Sequence, residues 1–527
     1  MKTLYYGGKI ITMAEPLYAE AVLVDGGEIV AVGNVDAMVE NAGECNKINL
    51  EGKTMLPGFI DAHSHFSQVA MSFLQVSLDG ASEVSEMKRR IREFISQNGL
   101  KKGQWINARD YDNNIMPNLQ NPTLQELDDF APDNPLVIHH KSGHMGLMNS
   151  EALRELDINE ETPQIDGGKI EKKDGKLTGY LEENAFFTYL KKIPMPSVDI
   201  LMKAFEAAQE KYASYGITTF QDGMFVKEML PLYKMIMDSG MLKLDLVAFP
   251  DAATWDKAQK ELGKADAHTH FKLGGIKAFL DGSPQGRTAW MRTPYIDDSS
   301  YCGYGTLSNE QLCNVMAKAA EENVQIICHC NGDGAAQQFL ECLEKTEQVF
   351  PYFKNKRPVI IHGQLIGTDQ LKVVARLGAM VSFFVAHVYH WGDVHIKNFG
   401  FERASKISPA ASALKEGVKF TFHQDAPVIN QDMLETIWCA CARITKNGVC
   451  LGDDESISVY DAIKAVTVNG AYQYFEEKTK GTLEIGKRAD MVILDCNPLE
   501  TSISQLRDIE VCATIKDGRC VFCRNDK

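Results

Sequence analysis

Between residues 216 and 426 the chain repeats one pattern, an apolar run of strand length followed by a helical stretch. The runs are GITTFQD (216–222), LKLDLVAF (242–249), LGGIKAFLDG (273–282), VQIICHC (324–330), PVIIHG (358–363), AMVSFFVA (379–386) and VKFTFHQDA (418–426). LSNEQLCNVMAKAAEE, DGAAQQFLECLEKTEQ and TDQLKVVARLG are among the helical stretches between them. A further apolar run, Thr54 to His63, precedes them and brings the strands to eight. Strands that alternate with helices pair in parallel, and near-continuous apolar strands suit a sheet covered on both faces. The expected fold is α/β, a (β/α)8 TIM-like barrel over 54–479.

The chain has 527 residues, more than one core usually holds. TLYYGGKIIT, AVLVDGGEIVAVG and KINL at the start, and GTLEIGKRADMVILD and IEVCATIKDGRCVF at the end, read as strands. DGGE is a hairpin turn signal. Residues 1–53 and 480–527 are therefore expected to build a small β-sandwich domain from both chain termini. About 150 residues separate the first barrel strand from the second, where one βα unit needs about a third of that. A large insertion over about 80–205 follows, with a hairpin turning at Asp174-Gly175. An insertion after a strand's C-terminal end lies over the mouth of a barrel. A lid and a stabilising appendage are equal readings of it.

Composition narrows the function. Lys plus Arg is 55 and Asp plus Glu is 71, a net charge of -16, which repels phosphate backbones and excludes nucleic acid as the expected partner. The start has no signal-peptide core and no stretch reaches the length of a membrane span. The 13 cysteines, an odd number, read as reduced thiols of a cytoplasmic protein. Cys520-Val-Phe-Cys523 reads as edge-strand or buried thiols, and Cys439 and Cys441 as core. A small molecule is the expected substrate, and a homodimer the expected assembly.

His63 and His65 stand two apart at a strand end, so both imidazoles face one way. Such a pair is weak evidence by itself: His268 and His270 have the same spacing, follow a charged stretch, and read as loop without metal. Polar residues at later strands lend the first pair its weight. Lys277 lies within the fourth strand, where an unused lysine is costly. His329 ends the fifth, His362 the sixth and Asp425 the eighth. The C-terminal strand ends are where barrel enzymes place their chemistry.

At these residues the chain resembles the amidohydrolase superfamily and, within it, the YtcJ-like branch (amidohydrolase family 3). The likeness runs from LPGFIDAHSHF through SGHMGLMNS, LTGYLEE, GITTFQDG, KAFLDGSPQGRTA, HCNGDGA, IHGQLI, AHVYHWGD and HQDAPV to GKRADMVILDCNPL. It implies that His63 and His65 hold one divalent metal, with His329 and His362 on a second. By the same resemblance Lys277, carboxylated by carbon dioxide, bridges the two, and Asp425 binds the first metal and moves protons. Zinc, as one or two ions, suits such ligands. A bridging water, acidified by the metals, then attacks an amide-type carbonyl, and Asp425 carries its proton to the leaving nitrogen. Ester or lactone hydrolysis on the same site is the alternative, and a non-catalytic scaffold ranks lower because all six positions are filled. Ile361 departs from a position where relatives often carry Glu, and Cys330 from one where they carry a small apolar residue. His423 reads as pocket wall or ligand support. His144, His140, Trp105, Tyr111, Arg287, Tyr389 and Trp391 are the substrate-contact candidates, with an Asp281–Arg287 pair as an alternative role for Arg287.

Overall fold

The computed structural model describes residues 2–36, 38, 43–140, 145–263 and 269–524. His144 and His268 lie outside them. The chain divides into two compact units, one of residues 1–68 and 208–527 and the other of 69–207.

In the larger unit, parallel strands follow one another in chain order. Phe59–Ile60 pairs with Ile217–Phe225, which pairs with Asp245–Pro250, which pairs with Phe271–Leu273. Gly275–Phe279, Gln325–Cys330, Val359–His362, Met380–Phe383 and Phe420–Phe422 continue the series. A parallel bridge from Asp251 to Lys277 links the two sheets. Helices Leu230–Ser239, Trp255–Leu262, Asn309–Glu321, Asp333–Val349, Thr368–Arg376, His387–Phe399 and Met433–Ala442 alternate with the strands. The arrangement is TIM-barrel-like. Strands buried along their whole length, such as Val359–His362 and Met380–Phe383, explain the apolar runs.

Three strands differ from their expected extents. The run from Thr54 to His63 is two strands: Thr54–Pro57 joins the terminal sheet, antiparallel to Met491–Leu494, and only Phe59–Ile60 joins the parallel series. The break falls at Gly58, where a Cβ would lie 2.4 Å from Thr218 Cγ2. The close approach of the second strand admits only glycine there. The fourth strand is likewise interrupted between Leu273 and Gly275. The eighth ends at Phe422, so Asp425 sits in the turn beyond it rather than on the strand.

Both chain ends contribute to one eight-stranded sheet, which branches at Thr3–Ile11. The DGGE turn forms as read: Asp25 pairs with Glu28, and Gly26 and Gly27 both take positive φ, as a two-residue hairpin requires. Tyr5, Val22, Ile29, Met55, Met491 and Ile515 bury together as its core. Cys520 and Cys523 lie exposed on its edge strand, Arg519–Cys523, while Cys439 and Cys441 are buried in a helix.

The smaller unit has its own six-stranded sheet and two apolar cores. The hairpin at Asp174-Gly175 is present, with Lys173 paired to Lys176. Among the described residues no helix is long and apolar enough to cross a membrane.

Candidate metal centre

His63 and His65 leave the end of the first strand, and the second strand shapes their surroundings. His63 Nδ1 lies 2.6 Å from Gln221 Oε1. Gln221 Nε2 donates to Ala62 O (2.9 Å) and approaches the Tyr474 hydroxyl at 3.0 Å, so its carbonyl oxygen faces the imidazole. The proton of His63 is thereby set on Nδ1, and Nε2 presents a lone pair to the cavity. Gly223 lets the ring fit, since a Cβ there would come 2.4 Å from His63 Cε1.

Asp425 meets this pair from the opposite side. Its Oδ1 is 3.5 Å from His63 Nε2 and 3.2 Å from His65 Nε2. Ligand atoms about 2.0–2.1 Å from one tetrahedral ion stand roughly 3.3 Å apart, so these separations fit a shared cation. Asp425 Oδ1 is also buried with no hydrogen-bond partner. A carboxylate oxygen facing an imidazole lone pair is repelled unless a cation sits between them. The donor set therefore fits a divalent metal, and His63, His65 and Asp425 have their ligand atoms within 4.8 Å of one another.

The other expected ligands adjoin. Lys277 Nζ is 3.5 Å from His63 Nε2. His362 Nε2 is 3.0 Å from His329 Nδ1 and 4.0 Å from Asp425 Oδ2. His329 stacks on Phe279 at 3.9 Å, and its Nε2 approaches Gly282 O at 3.3 Å. His362 and Asp425 both take left-handed backbone conformations, φ 74° and 53°. Non-glycine residues hold such angles at a cost of order 1–3 kcal/mol each, and such strain clusters at functional sites.

Burial shapes the charges. It holds His63 and His362 well below the usual imidazole range and His329 and His423 near 3, so all four are neutral bases ready to ligate. Burial brings Lys277 down to about 8. For Asp425 burial acts upward, but positive charge on the facing imidazoles, His362 foremost, acts downward and prevails, so that its carboxyl lies well below the usual range whenever the cluster carries such charge. A cavity of about 380 Å³ opens on the cluster, lined by His63, His65, Lys277 and His329 and by Gln68, Met224, Val226 and Phe279.

The substrate-contact candidates fare differently. Arg287 pairs with Asp297 (3.3 Å) and lies over Tyr295. Asp281 instead accepts the backbone N–H groups of Trp290, Asn331 and Gly332, so the Asp281–Arg287 pair is not formed. Three backbone donors converging on one buried carboxylate leave no place for a guanidinium. Tyr389 packs edge-on against Trp438, and Trp391 against His387 and Phe384. In the smaller unit Tyr111 is core, its hydroxyl donating to Asn121 Oδ1. Trp105 packs on that unit's second core, and His140 Nε2 bonds Asn113 Oδ1. His270, with its Nδ1 2.7 Å from Asp245 Oδ1, belongs to an ion-pair network. Beyond the residues expected from the sequence, Gln221 orients His63, and Met224, Val226 and Phe279 line the cavity. A glutamine in the apolar run GITTFQD carried the same signal as Lys277 in its own run, and Phe279 lies two residues beyond Lys277 on the same strand face.

The amidohydrolase family model matches residues 47–522 of the chain. The putative amidohydrolase YtcJ of Bacillus subtilis (strain 168) is 28% identical, covering 99% of both chains. The N-substituted formamide deformylase of Arthrobacter pascens is 27% identical over 95% of this chain and 94% of its own. Among solved structures, an uncharacterized metal-dependent hydrolase from Pyrococcus horikoshii OT3 superposes with a TM-score of 0.79 at 24% identity, covering 96% of this chain and 99% of that one.

Proposed function

We propose that this chain, which belongs to the amidohydrolase family and is thereby a metal-dependent hydrolase, cleaves the C–N bond of a small amide-type substrate. An N-acyl or N-formyl amine and a cyclic amide are the candidate classes. The observation that carries the reading is the buried Asp425 Oδ1 facing the lone pair of His63, with His65 beside it. His63, His65 and Asp425 would hold one metal, and His329 and His362 a second. Zinc suits these donors. A divalent metal bound there supplies Lewis acidity, which polarises a carbonyl and acidifies water.

The chain's own residues do the rest. Lys277, whose amine burial brings down to about 8, has a larger neutral fraction near neutral pH than an ordinary lysine, and that neutral form adds carbon dioxide: its nitrogen bonds the carbon and loses a proton, leaving an anionic oxygen ligand. Asp425 takes the proton of the attacking water and delivers it to the leaving nitrogen. Met224, Val226 and Phe279 wall the cavity with apolar surface, which suits a substrate with an apolar substituent. We take the eight parallel strands to close into a barrel, and the branched terminal sheet to fold over its core as a sandwich. The side chains spanning the last and first strands, and the shared apolar core, support this.

Turnover of a panel of N-acyl amines, lactams and esters by the metal-loaded protein tests the bond. Cleavage of amides over esters is expected, and esters alone would make it an esterase. Asp425→Asn should keep the thermal midpoint within a few degrees while lowering kcat by about 10²–10⁴-fold. Near-normal kcat would remove Asp425 from proton transfer.

A further inference from the structure

We infer that His423 and Ser382 form a hydrogen-bonded relay that fixes the orientation and tautomer of His362. This positioning role rests on the reading of His362 as a metal ligand. Ser382 is the one hydroxyl in the strand Met380–Phe383, and both it and His423 are fully buried. His423 Nε2 lies 3.1 Å from His362 Nδ1, and His423 Nδ1 lies 2.9 Å from Ser382 Oγ.

The chain of contacts has one consistent polarity when a metal is bound. His362 Nε2 faces His329 and Asp425, so it is the nitrogen available to a cation and carries no proton. The proton then sits on Nδ1, which donates to His423 Nε2. His423 in turn is protonated on Nδ1 and donates to Ser382 Oγ. A hydroxyl serves as either acceptor or donor, so Ser382 is a suitable end for such a chain. Phe384 packs at 5.3 Å from the His423 ring and His63 at 5.2 Å, which hold it in place. Carboxylates and carbonyls are the usual partners behind metal-bound imidazoles. Here an imidazole and a hydroxyl take that place, two residues before Asp425 on the same turn.

The test uses the full chain loaded with zinc or with cobalt(II), and four variants. Zinc affinity is read by competition with a chromophoric chelator, coordination by the visible spectrum of the cobalt form, and folding by the thermal midpoint of the metal-free protein. His423→Phe keeps a ring but removes both nitrogens. It should weaken zinc binding about 10–100-fold and alter the cobalt spectrum. His423→Gln returns an acceptor toward His362 and should recover most of the affinity. Ser382→Ala should weaken binding in the same direction by a smaller factor. Unchanged affinity in both His423→Phe and Ser382→Ala overturns the relay. His423→Gln as weak as His423→Phe, with Ser382→Ala at parent affinity, also overturns it by making His423 a ligand itself. His362→Ala is the control: if it binds zinc as the parent does, the ligand role of His362 fails, and the relay with it.

Discussion

A lysine buried beside a histidine lone pair has few stable roles. Lys277 has no carboxylate within salt-bridge distance among the described residues, yet it lies in an otherwise apolar strand. Carboxylation would relieve this, turning an amine without a carboxylate partner into a shared anionic ligand. Lys277→Ala should therefore bind about one equivalent less metal, with part of the occupancy and turnover restored by a short carboxylic acid. Unchanged metal content would end the carbamate proposal. Lys277 and five of its neighbours were legible as residue types in suspicious places. Gln221 and Ser382 were legible only as polar residues in apolar runs, because a single polar residue in a strand carries no hint of which imidazole it will meet.

At the scale of elements, the spacing of strands and helices was the most legible property of the chain. The joint between the last strand and the first was not. Among the described residues no ladder pairs Phe420–Phe422 with Phe59–Ile60. The segment Val466–Tyr474 spans them instead. Ile60 N donates to Val466 O, Gln473 Nε2 to Ala62 O and Tyr474 Oη to Asp61 O on one side. On the other, Asn469 Nδ2 donates to Phe420 O and Thr421 Oγ1 to Gln473 Oε1. Gln473 is fully buried and serves both strands. Gln473→Ala strands the buried Thr421 hydroxyl and leaves Ala62 O with Gln221 as its remaining side-chain donor, a loss of about 1–3 kcal/mol for the group left unpaired. A lower thermal midpoint with metal content preserved is the expected result, and a parental midpoint would show that the joint does not depend on this side chain.

At the scale of the larger unit, a buried ion network ties the terminal sheet to the parallel strands. Asp245, on the third strand, is contacted by Lys480, by Lys516 and Arg488 at 3.0 Å each, and by His270 at 2.7 Å. Burial pushes its carboxyl up, but Lys480 and Lys516 outweigh that and hold it well below the ordinary range. A depressed carboxylate contributes stability above its unfolded pKa of about 3.9 and loses it as the pH falls through the folded value. Stability should thus be level above about pH 5 and decline below about pH 4. In Asp245→Asn the acid decline should be shallower. At neutral pH that variant should be weaker by about 1–3 kcal/mol, because two lysines, each 2% exposed, lose their shared partner and keep only Glu476 on one side and Asp490 and Asp517 on the other. A thermal midpoint followed against pH in both proteins checks the two statements together.

The residues by themselves determined the alternation of strands and helices, the polar residues waiting at strand ends, and the two hairpin turns. Periodicity and turn chemistry are local, written within a few neighbours. Only the tertiary structure decided which nitrogen of each imidazole turns inward, that Gln221 and His423 stand behind them, that Thr54–Pro57 leaves the parallel series at Gly58, and that Arg287 and Asp281 find other partners. Each of those outcomes depends on side chains brought together from far along the chain, and no local pattern encodes such a meeting.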